Sequence, residues 1–187
     1  MGYTTYFGGQ FTVTPELKPE HRAYLTAFSA SRRMKRSVEV VATLPDPIRE
    51  AAGLPLGDEA GYYVGNEGED LFHVPAGKDW KTTQEEAGIL DYNREPSGQP
   101  GLWCPWEPDQ DGDSTLCIPE GGKHYGYVEW LEYIIEHFLK PWGYVLSGDV
   151  SYDGEDTEDK GVIWAKDNQV EQVQNVNPGP SWGNPDA

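Results

Sequence analysis

The segment from His124 to Lys140 is the one long stretch of this chain in which apolar residues recur at the spacing of an α-helix. Its sequence is HYGYVEWLEYIIEHFLK, and the residues that predict its buried face are Val128, Trp130, Leu131, Ile134, Ile135, Phe138 and Leu139. Pro141 predicts the end of the helix, because proline has no backbone N–H and clashes with the preceding turn. The 15 Pro and 22 Gly residues argue against a bundle of such helices.

Short β-forming segments lie on both sides of this helix. Residues 3–13 (YTTYFGGQFTV) predict a strand near the start of the chain. Residues 144–152 and 161–166 alternate in the manner of strands, and the acidic sequence DGEDTEDK between them predicts a hairpin loop. A turn at Asp167-Asn168 would extend this run of strands to residue 174.

The middle of the chain predicts a second main helix and several short elements. Pro19 is a suitable first residue for that helix, which carries the apolar residues Tyr24, Leu25 and Phe28. The cations Arg32, Arg33, Lys35 and Arg36 lie at its end, where we expect them to serve the helix terminus and to pair with the protein's own acids. The other predicted elements are a short helix after Asp46, short strands at 61–65 and 70–74, an ordered loop at 88–101, and a hairpin with arms 102–106 and 115–118.

This order of elements predicts an α+β fold, in which an antiparallel sheet carries the two main helices on one face. A ferredoxin-like arrangement is one version of it. We expect residues 1–174 to form a single domain and residues 175–187, which are rich in Pro, Gly and Asn, to form a flexible C-terminal tail.

The charge of the chain constrains its partners. The net charge is −18, and residues 51–187 hold 27 acidic side chains against 7 basic ones. Such a field repels phosphates and anionic lipid, so we expect neither direct nucleic acid binding nor membrane binding. It favours a basic protein partner, although solubility alone would also explain it. No signal peptide and no membrane span is predicted, so we expect a cytoplasmic protein in which Cys104 and Cys117 are free thiols.

The acidic segment 109–120 has the carboxylate spacing of a calcium-binding EF-hand loop. Its four carboxylates are Asp109, Asp111, Asp113 and Glu120, at loop positions one, three, five and twelve. Ser114 stands where the motif needs glycine, Pro119 lies inside the loop, and the preceding LWCPWEP cannot form the entering helix. An acidic hairpin turn is therefore the preferred interpretation, with calcium as the weaker alternative.

Three glutamates on the long helix form a candidate docking face. Glu129, Glu132 and Glu136 lie three and four residues apart, so they share one exposed strip beside Tyr133. Only Lys140 is placed to compensate one of them. A solvated face without function would have the same pattern, whereas a docking face would bind a basic partner.

Aromatic residues supply a second candidate site. Trp103, Trp106 and Tyr125 would line a small-molecule or nucleotide pocket if they met in space, although core packing would also use them. The sequence has no HExxH, GxSxG, Walker or GxGxxG motif, so no catalytic residue is assigned.

Two segments resemble a known group of proteins. Residues 91–106 (DYNREPSGQPGLWCPW) and 126–150, together with the opening YFGGQFTVTPELKPEHRAYLTAFSASRRMKR, resemble an uncharacterised family of small acidic proteins found in bacterial and phage genomes. The resemblance implies no catalytic residues.

Two hypotheses on function follow from these observations. The first is a non-enzymatic acidic protein that binds a basic protein surface, one form of which is a phage-type inhibitor that mimics the charge of nucleic acid. The second is a small-molecule or nucleotide binding protein, or an enzyme without a recognisable motif, that uses the aromatic pocket.

Overall fold

A computed structural model describes residues 3–66, 74–111, 114–119 and 124–175. The chain divides into two compact units, of which one comprises residues 1–17 and 105–187 and the other residues 18–104. We call the first the sheet unit and the second the inserted unit, because it interrupts the first in sequence. The single domain over residues 1–174 stays a prediction, and residues 176–187 of the predicted tail lie outside the described residues.

The secondary structure alternates short helices and strands. The strands are β1 Thr5–Thr14, β2 Lys35–Arg36, β3 Ile89–Asp91, β4 Glu107–Pro108, β5 Thr115–Cys117, β6 Val145–Gly154, β7 Lys160–Lys166 and β8 Gln169–Gln174. The helices are α1 Pro19–Ala30, α2 Val38–Val41, α3 Pro47–Ala51, α4 Trp80–Glu86, α5 Tyr127–Ile134 and α6 Lys140–Trp142, with a 3₁₀ turn at Asp58–Ala60 and a π-helical turn at Ile135–Leu139. No helix among the described residues is long and apolar enough to cross a membrane.

The sheet unit is built on six antiparallel strands in the order β4-β5-β1-β6-β7-β8. The predicted α+β fold with an antiparallel sheet is confirmed. Because β5 and β6 are both antiparallel to β1 and lie on either side of it, they run parallel to each other and are joined through α5 and α6. This is one split β-α-β unit, whereas a ferredoxin-like arrangement contains two. In this sheet, the antiparallel meander β6-β7-β8 stands where a ferredoxin-like arrangement has its second split β-α-β unit.

The long helix continues past the residue predicted to end it. Helix α5, the π-helical turn and α6 follow one another without a break from residue 127 to residue 142. Pro141 is the last residue but one of this continuous helix, which runs two residues further than predicted. Gly143 ends the helix instead, with a φ of 85° that favours glycine.

One face of the sheet is buried under this helix, which packs against β6 and β8. Side chains alternate along each strand, so every second residue points to the helix. The buried side chains of this core are Phe11, Val13, Leu116, Leu131, Ile134, Phe138, Leu146, Val150, Tyr152 and Ile163. The core positions predicted for the helix are confirmed apart from Val128, which is only half-buried.

Two buried arginine side chains bind backbone carbonyls within the inserted unit. Arg33 is buried and donates hydrogen bonds from Nη1 to the carbonyl of Gly61 (3.3 Å) and from Nη2 to that of Tyr63 (2.8 Å). Residues 61–65 therefore form a turn that binds a guanidinium, and the prediction of a strand there is wrong. Arg36 donates to the carbonyl of Ala87 (2.8 Å). Both arginines thus supply hydrogen-bond donors to backbone carbonyls, which need partners when a loop is buried.

The remaining short elements depart from prediction by a few residues. Within the predicted loop 88–101, strand β3 pairs with β2. The predicted hairpin arm at 102–106 is displaced to β4, because Glu107 and Pro108 are the residues that pair with β5. The predicted strand 70–74 lies almost wholly outside the described residues.

Candidate functional site

The acidity of the protein is concentrated in the sheet unit. By sequence this unit holds 18 acidic and 4 basic side chains, a net charge of −14, whereas the inserted unit holds 14 and 10, a net charge of −4. A binding site for a cationic partner is therefore to be sought in the sheet unit.

The loop between β6 and β7, which we call the acidic loop (residues 155–159), is held in place by the beginning of the chain. The phenol of Tyr3 donates to Oδ2 of Asp159 (2.5 Å) and accepts from the backbone N–H of Asp156 (3.3 Å). The N–H of Thr4 donates to Oε1 of Glu155 (2.9 Å). Inside the loop, the N–H of Gly154 donates to the carbonyl of Asp159 (2.7 Å). Four carboxylates in five residues are thus kept together despite their mutual repulsion.

The acidic loop borders an open cavity of about 500 Å³. Asp156, Thr157, Glu158 and Asp159 line it from the loop, and Gln174 and Asn175 line it from the end of β8. Carboxylates and side-chain amides accept hydrogen bonds from ammonium and guanidinium groups. Lys160, at the start of β7, lies 3.9 Å from Asp153 and so is directed to a carboxylate outside the cavity. The cavity has the size and chemistry to hold a cationic side chain.

Tyr127 connects the acidic loop with the first turn of α5. Burial first, and then the charge of Asp159, raise the pKa of Tyr127 to about 12, and Glu129 adds to the shift. Nε2 of Gln172 donates to the phenol oxygen of Tyr127 (3.4 Å), and this hydrogen bond acts to lower the pKa of Tyr127. Because Asp159 and Glu129 both act on one phenol, the loop and the start of the helix belong to one negative region.

The three glutamates of the long helix lie at the surface, whereas the tyrosine predicted beside them is buried. Glu129, Glu132 and Glu136 are all exposed. Tyr133 is only 8% exposed, and its ring stacks on that of His137 with 4.0 Å between centroids. The placement of Tyr133 beside the strip is therefore corrected, because its ring packs inward. Glu136 forms an ion pair with Lys140, as the spacing predicts.

The three aromatic residues of the second candidate site do not share one environment. Trp106 is 1% exposed, packs on Phe7 and Phe11, and donates from its indole N–H to the carbonyl of Tyr127 (2.6 Å). It is a core residue of the sheet unit. Tyr125 is exposed in the same unit, and Trp103 is exposed in the inserted unit. Because Trp106 is buried, it cannot line an open pocket.

The calcium candidates are described only in part. Asp109 accepts a hydrogen bond from the N–H of Asp111 (3.3 Å), and its own N–H donates to the carbonyl of Thr115 (3.2 Å). Both bonds belong to a hairpin turn. Asp113 and Glu120 lie outside the described residues. Within the described ranges, no group of three His, Cys, Asp or Glu side chains could hold a metal ion. Cys104 and Cys117 are free thiols, as predicted.

Sequence reasoning missed Tyr3 and Trp164. Tyr3 was assigned only to a strand, and its partner lies 156 residues away. Trp164 is 47% exposed in the middle of β7, where an apolar run predicts burial. Alternation along GVIWAK gives no sufficient signal for Trp164, because Val162 lies on the same face of the strand and is only 3% exposed. No family model, curated protein or solved structure matches this chain.

Proposed function

We propose that this protein binds a basic surface of another protein through the acidic region of its sheet unit. The observation that carries the proposal is the acidic loop beside an open cavity, in which Tyr3 binds the carboxylate of Asp159 and Thr4 binds that of Glu155. A loop that is already ordered loses less conformational entropy on binding, so more of the attraction appears as affinity.

The charge pattern supports a partner that normally binds nucleic acid. Such partners present arginine and lysine side chains to a row of phosphates. The acidic loop and the exposed Glu129 and Glu132 offer them carboxylates instead. A phage-type inhibitor that mimics the charge of nucleic acid is the concrete form of this proposal. No catalytic step is required of it.

The test is a capture experiment with two matched charge variants. One variant carries Asp156→Asn, Glu158→Gln and Glu129→Gln in the sheet unit, and the control carries Glu50→Gln, Glu85→Gln and Glu86→Gln in the inserted unit. All six side chains are exposed, and both variants lose three negative charges. The tagged proteins are incubated with nuclease-treated host lysate at low and high salt, and bound proteins are identified by mass spectrometry.

We expect a basic protein that the wild type and the control retain at low salt, and that both lose at high salt because exposed charges are screened. The sheet-unit variant should not retain it. Equal retention by the two variants, or retention that does not respond to salt, would contradict the proposal.

A second function is suggested by a cavity of about 310 Å³ in the inserted unit. It is lined by Lys35 and Arg94 together with residues 95–99. The two cations would attract a small anionic ligand, although Glu95 also lines the cavity, Lys35 pairs with Glu59 (3.0 Å) and Arg94 lies 3.9 Å from Asp91. A ligand that binds only the folded protein raises its unfolding temperature. A thermal-shift screen with nucleotides and organic acids tests this function, and a flat response across the library would exclude it.

A further inference from the structure

The sheet face that points away from α5 carries a row of four side chains across four strands. Gln10 of β1 is opposite Asp149 of β6, Asp149 is opposite Trp164 of β7, and Trp164 is opposite Glu171 of β8. Residues directly opposite each other in an antiparallel sheet project to the same face. The indole of Trp164 therefore stands between two carboxylates.

Trp164 is available to a partner. It is 47% exposed, and Gln10 and Glu171 in the same row are exposed as well. A tryptophan in the middle of a strand usually packs into a core, because its burial removes a large apolar area from water. Exposed at the centre of a sheet, the indole offers a flat surface on which another planar group can stack.

The carboxylate of Asp149 has unused capacity for hydrogen bonds. Asp149 is half-buried, and its Oδ2 is shielded from solvent and accepts no hydrogen bond from the residues that the structure describes. A donor from a partner reaches this oxygen once the carboxylate turns outward. Burial raises the pKa of Asp149, because the negative charge is poorly hydrated there. A poorly hydrated carboxylate gains more from a nearby cation than a fully hydrated one does. On the same face of β7, Lys166 lies two residues from Trp164, the residue opposite Asp149.

We infer that this row is a docking position for an arginine side chain of the basic partner. The guanidinium would stack on the indole of Trp164, and its N–H groups would donate to Asp149 on one side and to Glu171 on the other. This inference rests on the proposed function, because it names the chemical group that the acidic protein recognises.

The geometry suits arginine better than lysine. Adjacent strands lie about 4.8 Å apart, so the backbones that carry the two carboxylates are separated by about 10 Å, with the indole between them. This gap accommodates a planar guanidinium with an N–H···O bond on each side. Guanidinium stacks on aromatic faces and has five donors spread in its plane, whereas the ammonium of lysine is a compact and strongly hydrated charge.

The test compares two synthetic peptides, acetylated hexa-arginine amide and acetylated hexa-lysine amide, by titration calorimetry at low salt. We expect the wild type to bind the arginine peptide about fivefold more tightly than the lysine peptide. Trp164→Val keeps a residue that favours strands and should abolish that preference while leaving the affinity for the lysine peptide unchanged. Trp164→Phe should keep part of the preference, because phenylalanine also stacks.

Trp80→Ala is the matched control, since Trp80 is 39% exposed in the inserted unit and its loss should not affect the preference. Circular dichroism of each variant verifies that it is folded. If both peptides bind in a salt-sensitive way and Trp164→Val leaves the arginine preference intact, the inference fails while the proposed function stands. If neither peptide binds the wild type, the proposed function fails together with the inference.

Discussion

The phenol of Tyr3 donates a 2.5 Å hydrogen bond to Oδ2 of Asp159, across 156 residues of sequence. It joins the start of the chain to the loop between the two strands β6 and β7. The same phenol oxygen accepts the N–H of Asp156, so one side chain orders both ends of the acidic loop. The conformation of the most acidic segment in the protein therefore depends on a neutral residue outside it.

The pKa of Tyr3 should respond more to Asp159 than to Glu158 of the same loop. The hydrogen bond to Asp159 raises that pKa, because ionised phenol and carboxylate would repel each other at this distance. Asp159→Asn should lower the pKa of Tyr3 towards its ordinary value, as followed by NMR of ¹³C-labelled tyrosine. Glu158→Gln is the control and should leave the value nearly unchanged. An equal effect of the two substitutions would show that general charge, and not the hydrogen bond, controls Tyr3.

Removal of the Asp46 carboxylate should destabilise the protein strongly. Asp46 is 1% exposed, accepts the N–H of Gly65 (2.9 Å) and forms an ion pair with Arg49 (2.5 Å). Asp46→Ala removes the buried ion-pair partner of a largely buried guanidinium and the acceptor of the Gly65 N–H, which should lower the free energy of unfolding by about 3–5 kcal/mol. Glu50→Gln removes an exposed carboxylate 3.6 Å from the same arginine and should change it by less than about 1 kcal/mol. Urea unfolding measures both, and similar losses would contradict the prediction.

Two glycine-to-alanine substitutions should separate steric overlap from backbone strain. A Cβ on Gly161 would overlap the carbonyl oxygen of Val173 in the neighbouring strand and lie 2.7 Å from the hydroxyl of Tyr152. Gly161→Ala should therefore lower the free energy of unfolding by about 3 kcal/mol or more. A Cβ on Gly143 would meet nothing within 4 Å, so only its φ of +85° opposes alanine, at about 1–2 kcal/mol. Thermal unfolding measures the difference, and a larger loss for Gly143→Ala would contradict the described pairing of β7 and β8.

Stability should fall as the solution becomes mildly acidic. Burial lowers the pKa of His124 in the folded protein, against the opposing effect of a hydrogen bond with the backbone of Pro119. In the unfolded chain the imidazole titrates near its ordinary value of about 6.5, so below that pH the unfolded state binds more protons than the folded state. The free energy of unfolding is therefore highest above pH 6.5 and decreases as the pH falls towards the lowered folded value.

Burial lowers the pKa of His21 and His137 as well, so both residues also lower the free energy of unfolding as the pH falls. Urea unfolding at several pH values between 7.5 and 5.5 measures the decrease, and His124→Gln should make it shallower. An NMR titration that placed the pKa of His124 above that of an unfolded histidine would overturn this prediction.

Elements with a strong local signal were predicted well. Pro19 begins α1 as expected, the turn at Asp167 and Asn168 has the positive φ values typical of tight hairpin turns, and the apolar spacing of the long helix marks its buried face. The strand proposed at 61–65 failed because the carbonyls of Gly61 and Tyr63 accept hydrogen bonds from Arg33, which is distant in sequence. The end of the long helix was misplaced because the helix continues past a π-helical turn and through Pro141, and Gly143 ends it.

The candidate sites were predicted with unequal success, because local periodicity determines some of them and packing determines the others. The exposed positions of Glu129, Glu132 and Glu136 follow from helical periodicity, which is a local property. Trp106 was a candidate ligand-binding residue because an aromatic side chain can line a pocket. Only its packing shows that it belongs to the core. The capture experiment tests the basic partner, and the family resemblance stays a prediction.

The amino-acid sequence by itself determined the acidic character, the long helix and the strands on either side of it, because charge, periodicity and turn residues act over a few positions. Only the tertiary structure decided that β1 pairs along its whole length with β6, and that Asp149, Trp164 and Glu171 share one row. Strand register depends on which side chains the whole sheet can bury, and a shift of one residue would turn Trp164 to the opposite face.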